Sequence, residues 1–336
     1  MRPSFQPRLI NDPFSDPGLF IPFLFEQRAL MFDLGDLKPL SSRDILKVSH
    51  VFVTHTHMDH FVGFDTLIRV FLGREKQVHL YGPPGFFSHV EGKLAGYTWN
   101  LVHEYPTNFD LNVTEVHEKR TLSATYLCRD RFRPQKAPAE TPFTGVLLKE
   151  PSFTVEGLLL DHRIPCLALS LVENFYVNII KEGLKKLRLP VGPWINRFKK
   201  ALHEKKDLKG DFFVTWEERG VTIKEKRFVL GDLADNIARI SPGQKITYIT
   251  DILGSTENFE KAAKIAEKSD HLFIEASFLN VDKDIAGRKY HLTAKEAGKL
   301  AKKAGVKNFT LFHYSPRYTK REEELKKEAL AAFQGG

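Results

Sequence analysis

The sequence predicts a layered α/β protein interrupted once by a basic arm. Two observations carry this expectation. Short β-forming runs alternate with amphipathic helical stretches along most of the chain, and one charge-rich segment, about 174–210, breaks the alternation. At 336 residues, 42% hydrophobic and 27% charged, the chain can bury a sizeable core. We expect a single domain over 1–336 with the arm as an insertion.

In the first half the predicted strands are Ala29–Leu34, Val48–Thr54, Val78–Gly82, Leu122–Leu127, Gly145–Glu150, Leu158–His162 and Pro165–Val172, with helices over Asp65–Leu72 and Phe86–Trp99. The second half adds strands at Arg227–Leu230, Lys245–Thr250, His271–Ala276 and Phe309–His313. Helices are predicted between them at Ser255–Lys268 and Thr293–Ala304, and a last one at Thr319–Phe333. Thr293, followed three residues later by Glu296, has the form of a helix N-cap with its capping box.

The arm follows from composition. Between Lys181 and Gly210 ten basic residues stand against three acidic ones, Glu182, Glu204 and Asp207. The formal net charge of the whole chain is +8, so most of the excess sits here. Leu184, Leu187, Leu189, Trp194, Ile195, Phe198 and Leu202 are spread too thinly for a sheet core, and Pro190 to Pro193 punctuate two helix-like pieces. A concentrated positive field suits a polyanionic partner.

Chemistry is concentrated at Thr54-His55-Thr56-His57-Met58-Asp59-His60, directly after an apolar run. His55 and His57 are two apart, so on extended backbone both point the same way, while Asp59 and His60 follow as the chain turns. This spacing can hold two cations side by side. Further ligand-type residues close other apolar runs: His162 after Leu158–Leu160, Asp251 after Lys245–Thr250, and His313 after Phe309–Phe312. Mixed imidazole and carboxylate donors suit zinc or another borderline first-row metal.

This cluster resembles the metal-binding motif of the metallo-β-lactamase superfamily. The resemblance implies a four-layer αββα sandwich with a dinuclear site on one rim. By it, His55, His57 and His162 would hold one divalent ion, Asp59, His60 and His313 the other, and Asp251 would bridge them; zinc is the expected metal. The arm after His162, the stretch Tyr290-His291-Leu292-Thr293 and the stretches Phe273–Phe278 and Leu311–Tyr318 further resemble ribonuclease Z. That family carries a Gly-Pro element in an arm that grips the tRNA elbow, which Gly192-Pro193 resembles. Leu292 stands where the family has serine, and the family's Gly-rich opening has no counterpart in Leu9–Phe25.

What the resemblance implies is a zinc-dependent endoribonuclease that removes 3′ trailers from precursor tRNA, with metal-activated hydroxide attacking a phosphodiester. Asp59 would orient the attacking water, His291 would protonate the leaving oxygen, and Glu275 would orient a neighbour. Lys185, Lys186, Arg188, Gly192, Pro193, Lys199 and Lys200 would bind the RNA. A homodimer is the family's usual state. The alternative is a divergent hydrolase of the same fold acting on a small phosphodiester or ester, in which the arm is a lid or dimerisation element. A third reading is an RNA-binding scaffold without catalysis, against which the full ligand set argues.

No run of 18 apolar residues offers a membrane span, and the N-terminus lacks the apolar core of a secretory signal. Two cysteines, Cys128 and Cys166, do not make a disulfide framework, so a cytoplasmic protein is expected, and Cys166 reads as a small buried thiol.

Overall fold

The computed structural model describes residues 4–218 and 222–335. It divides the chain into two compact units. The larger comprises Phe5–Leu147, Val155–Leu171 and the chain from Lys245 onward; the smaller comprises Leu148–Thr154 and Val172–Gln244, with Ser4.

The larger unit begins with an eight-stranded sheet in simple order. Its strands are β1 (Arg8–Leu9), β2 (Leu19–Pro22), β3 (Ala29–Phe32), β4 (Val48–Phe52), β5 (Lys76–Gly82), β6 (Phe109–Val116), β7 (Arg120–Leu127) and β8 (Ala139–Pro142). The central pairings β3–β4, β4–β5 and β5–β6 are parallel, as crossovers through helices require. Those helices are α1 (Ser42–Lys47), α2 (Met58–Phe61), α3 (Phe64–Phe71) and α4 (Phe86–Ala95). In α3, Phe64, Leu67, Ile68 and Phe71 fall on one face and are all buried in the first apolar core. β6 was not among the expected strands. Asp110 and Asn112 disfavour a strand by propensity, yet they occupy its outward face while Phe109, Leu111 and Val113 alternate inward.

Strands β9 (Val146–Lys149), β10 (Phe153–Asp161) and β11 (Pro165–Glu173) open a second sheet. The chain then enters the smaller unit and returns to complete this sheet later. The smaller unit contains β12 (Phe175–Ile179), α5 (Lys181–Leu187), α6 (Trp194–His203), the hairpin β13 (Asp211–Glu218) with β14 (Thr222–Val229), α7 (Leu230–Ile237) and β15 (Ala238–Pro242). β12 pairs with β15 and β13 with β14, both antiparallel.

The sequence suggests an arm ending near residue 210. The insertion runs to Gln244 and has its own apolar core of Val177, Leu184, Leu189, Trp194, Phe198, Leu202, Val214, Leu230, Leu233 and Ile237. The residues that looked thinly spread are spaced for helices. Trp194, Phe198, Ala201 and Leu202 share one face of α6, so a narrow apolar stripe suffices under a charged surface. The expected strand Arg227–Leu230 is the end of β14, and Leu230 already begins α7.

The second sheet is completed by β16 (Lys245–Ile249), β17 (His271–Glu275) and β18 (Phe309–Phe312), in the order β18-β17-β16-β11-β10-β9. Helices α8 (Thr256–Ala266), α9 (Lys283–Lys289), α10 (Ala294–Ala304) and α11 (Glu322–Gln334) accompany it, and α8, α10 and α11 contribute to the second core with β16 to β18. Thr293 caps α10 in a full capping box with Glu296, as its sequence predicts. Gly298 lets α10 and α11 close on each other, because a Cβ there would lie 2.1 Å from the Ala329 carbonyl oxygen. The two sheets face each other: the Phe32 and Tyr248 rings sit 6.0 Å apart, and the Leu167 backbone N–H donates to the Thr54 carbonyl at 2.8 Å. With helices on both outer faces this is the expected αββα arrangement. Among the described residues no helix is long and apolar enough to cross a membrane.

Candidate metal centre

All seven expected ligands come together in the larger unit. His55 follows the tip of β4, and His57 is the N-cap residue of α2, which carries Asp59 and His60. His162 follows β10, Asp251 follows β16 and His313 follows β18. Asp33, Asp251 and His313 each sit just past a strand with φ of 60°, 49° and 57°. This left-handed turn is costly for non-glycine residues and redirects the chain at the rim of the sheets.

The ligand atoms fall into two sets, His55, His57, His162 with Asp251, and Asp59, His60 with His313; within each set they lie within 4.8 Å of one another. Asp251 joins the sets. Its Oδ2 is 3.4 Å from His55 Nε2, 3.4 Å from His60 Nε2 and 3.5 Å from His162 Nε2, and its Oδ1 is 3.2 Å from His313 Nδ1. Asp59 Oδ2 lies 3.2 Å from His313 Nε2 and 3.5 Å from His60 Nε2.

Whether these residues suit metal ions can be tested on atoms the fold leaves without partners. His55 Nε2 and His60 Nε2 are fully buried yet make no hydrogen bond. Leaving such atoms unpaired is costly unless a ligand satisfies them. The opposite ring nitrogens are committed. His60 Nδ1 lies 2.9 Å from Asp33 Oδ2, His162 Nδ1 donates to the Tyr290 carbonyl at 2.8 Å, and His55 Nδ1 lies 3.1 Å from Thr54 Oγ1. Each contact orients its ring so that Nε2 faces the cluster, as metal-ligating histidines require. The donor set fits a divalent metal site.

Asp33 is held in turn by the Thr54 backbone N–H at 2.7 Å, Thr54 Oγ1 at 3.0 Å and the Tyr248 hydroxyl at 3.0 Å. Neither Thr54 nor Tyr248 was singled out from the sequence. Thr54 adjoins the motif, but Tyr248 meets Asp33 across 215 residues and reads locally as one more apolar strand residue. Cys166 is buried as expected; its thiol donates to the Thr250 carbonyl at 3.4 Å, and its sulfur is 3.8 Å from His55 Nδ1.

Beside the cluster stands a second pair. Glu275, fully buried at the end of β17, accepts from the Ile252 backbone N–H through Oε1 at 2.8 Å. Its Oε2 accepts from Ser277 Oγ and from His291 Nδ1, each at 2.9 Å. With both Glu275 oxygens engaged, His291 is held as a hydrogen-bonded partner, and its Nε2 is left as the nitrogen that can donate. Leu292, where the resemblance leads one to expect serine, is fully buried in the second apolar core, so the difference is absorbed by packing.

Electrostatics follow burial and proximity. Burial pushes His55 down to about 4, which keeps it neutral with a lone pair to offer. Against the cost of burial, the Glu275 carboxylate raises His291 to about 9. Against the same cost, His313 and His60 hold the Asp251 carboxyl well below the usual carboxylate range.

The expected RNA-binding residues lie in the smaller unit. Lys185 and Lys186 on α5, Arg188 just after it, and Lys200 on α6 are exposed, and Gly192 and Pro193 precede α6. Lys199 differs: it is half-buried, with its ammonium 5.2 Å from the centre of the Tyr176 ring.

An αββα sandwich whose rim gathers two ligand sets around Asp251 is the arrangement of a metal-dependent hydrolase, and it is similar to that of the metallo-β-lactamase superfamily. The β-lactamase superfamily domain model matches residues 8–155. Over most of its length the chain is similar to ribonuclease Z. It is 29% identical over 311 residues to Ribonuclease Z from Deinococcus radiodurans, covering 91% of this chain and 88% of that protein. Its fold is shared with the metallo-β-lactamase fold protein YhfI from Bacillus subtilis, at a TM-score of 0.55 and 15% identity over 98% of this chain and 95% of that one. The short form of human tRNase Z gives a TM-score of 0.50 at 18% identity, covering 94% of this chain and 93% of that one.

Proposed function

We propose that this protein is a zinc-dependent endoribonuclease of the ribonuclease Z type that removes 3′ trailers from precursor tRNA. The observation that carries the reading is Asp251 lying within 3.5 Å of histidines from both ligand sets, with the His291–Glu275 pair beside it, in a chain similar to ribonuclease Z over 91% of its length.

Two zinc ions, when bound, supply positive charge against the phosphate oxygens and activate water near neutral pH. His55, His57 and His162 would hold one, Asp59, His60 and His313 the other, with Asp251 common to both. The protein's own groups do the rest. Asp59, whose side chain is 41% exposed, can accept a hydrogen bond from the attacking water and aim it at phosphorus. As the bond from phosphorus to the leaving oxygen breaks, His291 donates its proton to that oxygen. Glu275 favours the protonated imidazole and fixes its orientation.

Lys185, Lys186, Arg188, Lys199 and Lys200, with the Gly192-Pro193 turn, would supply contacts to the RNA backbone. A-form RNA is recognised through shape, phosphates and 2′-hydroxyls more than through base edges. The reading carries with it a cytoplasmic protein and a homodimer; light scattering would test the dimer.

The test offers zinc-loaded protein a 3′-extended tRNA and a small chromogenic phosphodiester. Wild type is expected to cut both, and His57→Ala neither. Lys185→Glu with Lys186→Glu is expected to lower tRNA cleavage by roughly tenfold, with a shallower salt dependence, because fewer counterions are released on binding. Hydrolysis of the small ester by intact protein that never cuts tRNA would establish the small-substrate alternative.

A further inference from the structure

We propose that the cavity beside the metal cluster is a pocket for one unpaired nucleobase, and that Phe14 and Asp16 select the base of the nucleotide whose oxygen leaves. The proposal rests on the endoribonuclease reading above and assigns a base-recognition role at that site.

The cavity holds about 270 Å³ and is lined on one side by Asp59, His291 and His313. That volume is ample for a single flat heterocycle. Since His291 is the group placed to protonate the leaving oxygen, the nucleoside carrying that oxygen would project its base into this space. The opposite wall comes from the segment Asn11–Pro17, which contributes Phe14 and Asp16, and Lys289 lines the cavity as an exposed cation.

This segment is braced before any substrate arrives. The Phe14 backbone N–H and Ser15 Oγ donate to the Asp12 carboxylate at 2.9 and 2.6 Å. Asn11 Nδ2 donates to the Asp16 and Asp36 carbonyls at 2.8 and 3.0 Å, and the Tyr314 backbone N–H donates to the Pro13 carbonyl at 2.7 Å. The Phe14 ring is fixed by an edge-on contact with Tyr314 at 5.2 Å. A rigid aromatic wall loses little freedom when a base stacks on it.

Asp16 sets the chemistry of the far end. Its carboxylate is within electrostatic reach of Asp59, so a phosphate there would meet two negative groups. A base edge carrying N–H donors meets the opposite: a carboxylate accepts two donors at once, which guanine offers at N1 and N2. Lys289 can then meet the adjoining phosphate. Unpaired bases stacked on aromatic rings and read along their edges are the usual basis of sequence preference in RNA.

The experiment compares cleavage of precursor tRNAs that differ only at that nucleotide: guanosine, adenosine, uridine or an abasic site. For wild type we expect guanosine to be fastest and the abasic RNA slower by roughly tenfold or more in kcat/KM. Phe14→Leu should erase the gap between base and abasic RNA, and Asp16→Asn should level guanosine with adenosine while keeping that gap. Thermal melting checks that both variants fold; if Phe14→Leu does not, Asp16→Asn and the wild-type series carry the test. Equal cleavage of guanosine and abasic RNA by wild type overturns the pocket and leaves the nuclease reading standing. No cleavage of any RNA overturns the nuclease reading, and the pocket with it.

Discussion

In the larger unit the decisive polar groups are buried and hold one another. Asp33, Thr54, Tyr248 and His60 form one closed set, and Glu275, Ser277 and His291 another, each with contacts near 3 Å. In the smaller unit the charges of the basic run face solvent, Lys199 excepted. Lys185, Lys186 and Arg188 are exposed, and the pairs Glu204 makes with Lys200 and Lys206 are 3.7 and 3.6 Å long. Exposed pairs of this kind contribute only about 0–1 kcal/mol each. Buried groups that depend on one another should therefore fail together when one is removed, whereas solvated charges should fail by degrees.

Asp251→Asn should have the largest effect. It weakens both ligand sets at once, so we expect loss of activity on the order of 10³-fold or more and reduced bound metal by elemental analysis. Full activity with two metals retained would mean that the sets are independent.

Glu275→Gln should come next. Without the carboxylate, His291 loses its charge partner but the ligands keep theirs. A fall of roughly 10²-fold in kcat is expected, with KM and metal content nearly unchanged. A change confined to KM would assign Glu275 to substrate binding instead.

The smallest expected effect concerns stability rather than rate. His50 is buried, stacked on His79 at 4.6 Å and close to Arg28, and burial with these neighbours pushes it down to about 3 from its ordinary 6.5. In the unfolded chain it takes up a proton below about 6.5, while the folded protein keeps it neutral down to about 3. Stability contributed by the neutral group is therefore full above pH 6.5 and is lost as pH falls through that window, at up to about 1.4 kcal/mol per pH unit. Urea unfolding of wild type and His50→Gln at pH 6.5 and 5.5 should differ in slope by about that amount. Parallel slopes would show that His50 takes up its proton alike in the folded and unfolded states.

The sequence was most legible where function is compressed into a few neighbouring residues. His55, His57, Asp59 and His60 identify a metal site by spacing alone, and the residues closing β10, β16 and β18 complete it because strand ends converge on one rim. The N-cap of α10 was equally plain. The extent of the smaller unit was not. Its hairpin β13–β14 and helix α7 continue beyond the basic run, and composition marks where charge ends rather than where packing ends. β6 was hidden by polar residues on its outward face, and the cavity beside the cluster by the separation of Phe14 from Tyr314 in the chain.

What the sequence determined by itself was the donor chemistry: three imidazoles and a carboxylate within six residues, a surplus of positive charge in one segment, and apolar runs of strand and helix period. Which nitrogen of each imidazole faces the cluster, and which groups hold the opposite nitrogen, were decided only by the tertiary structure. Ring orientation depends on partners such as Tyr290, 128 residues from His162, and Asp33, which is itself held by Tyr248 from 215 residues away. Short-range spacing can supply ligands, but only packing between the two sheets can orient them.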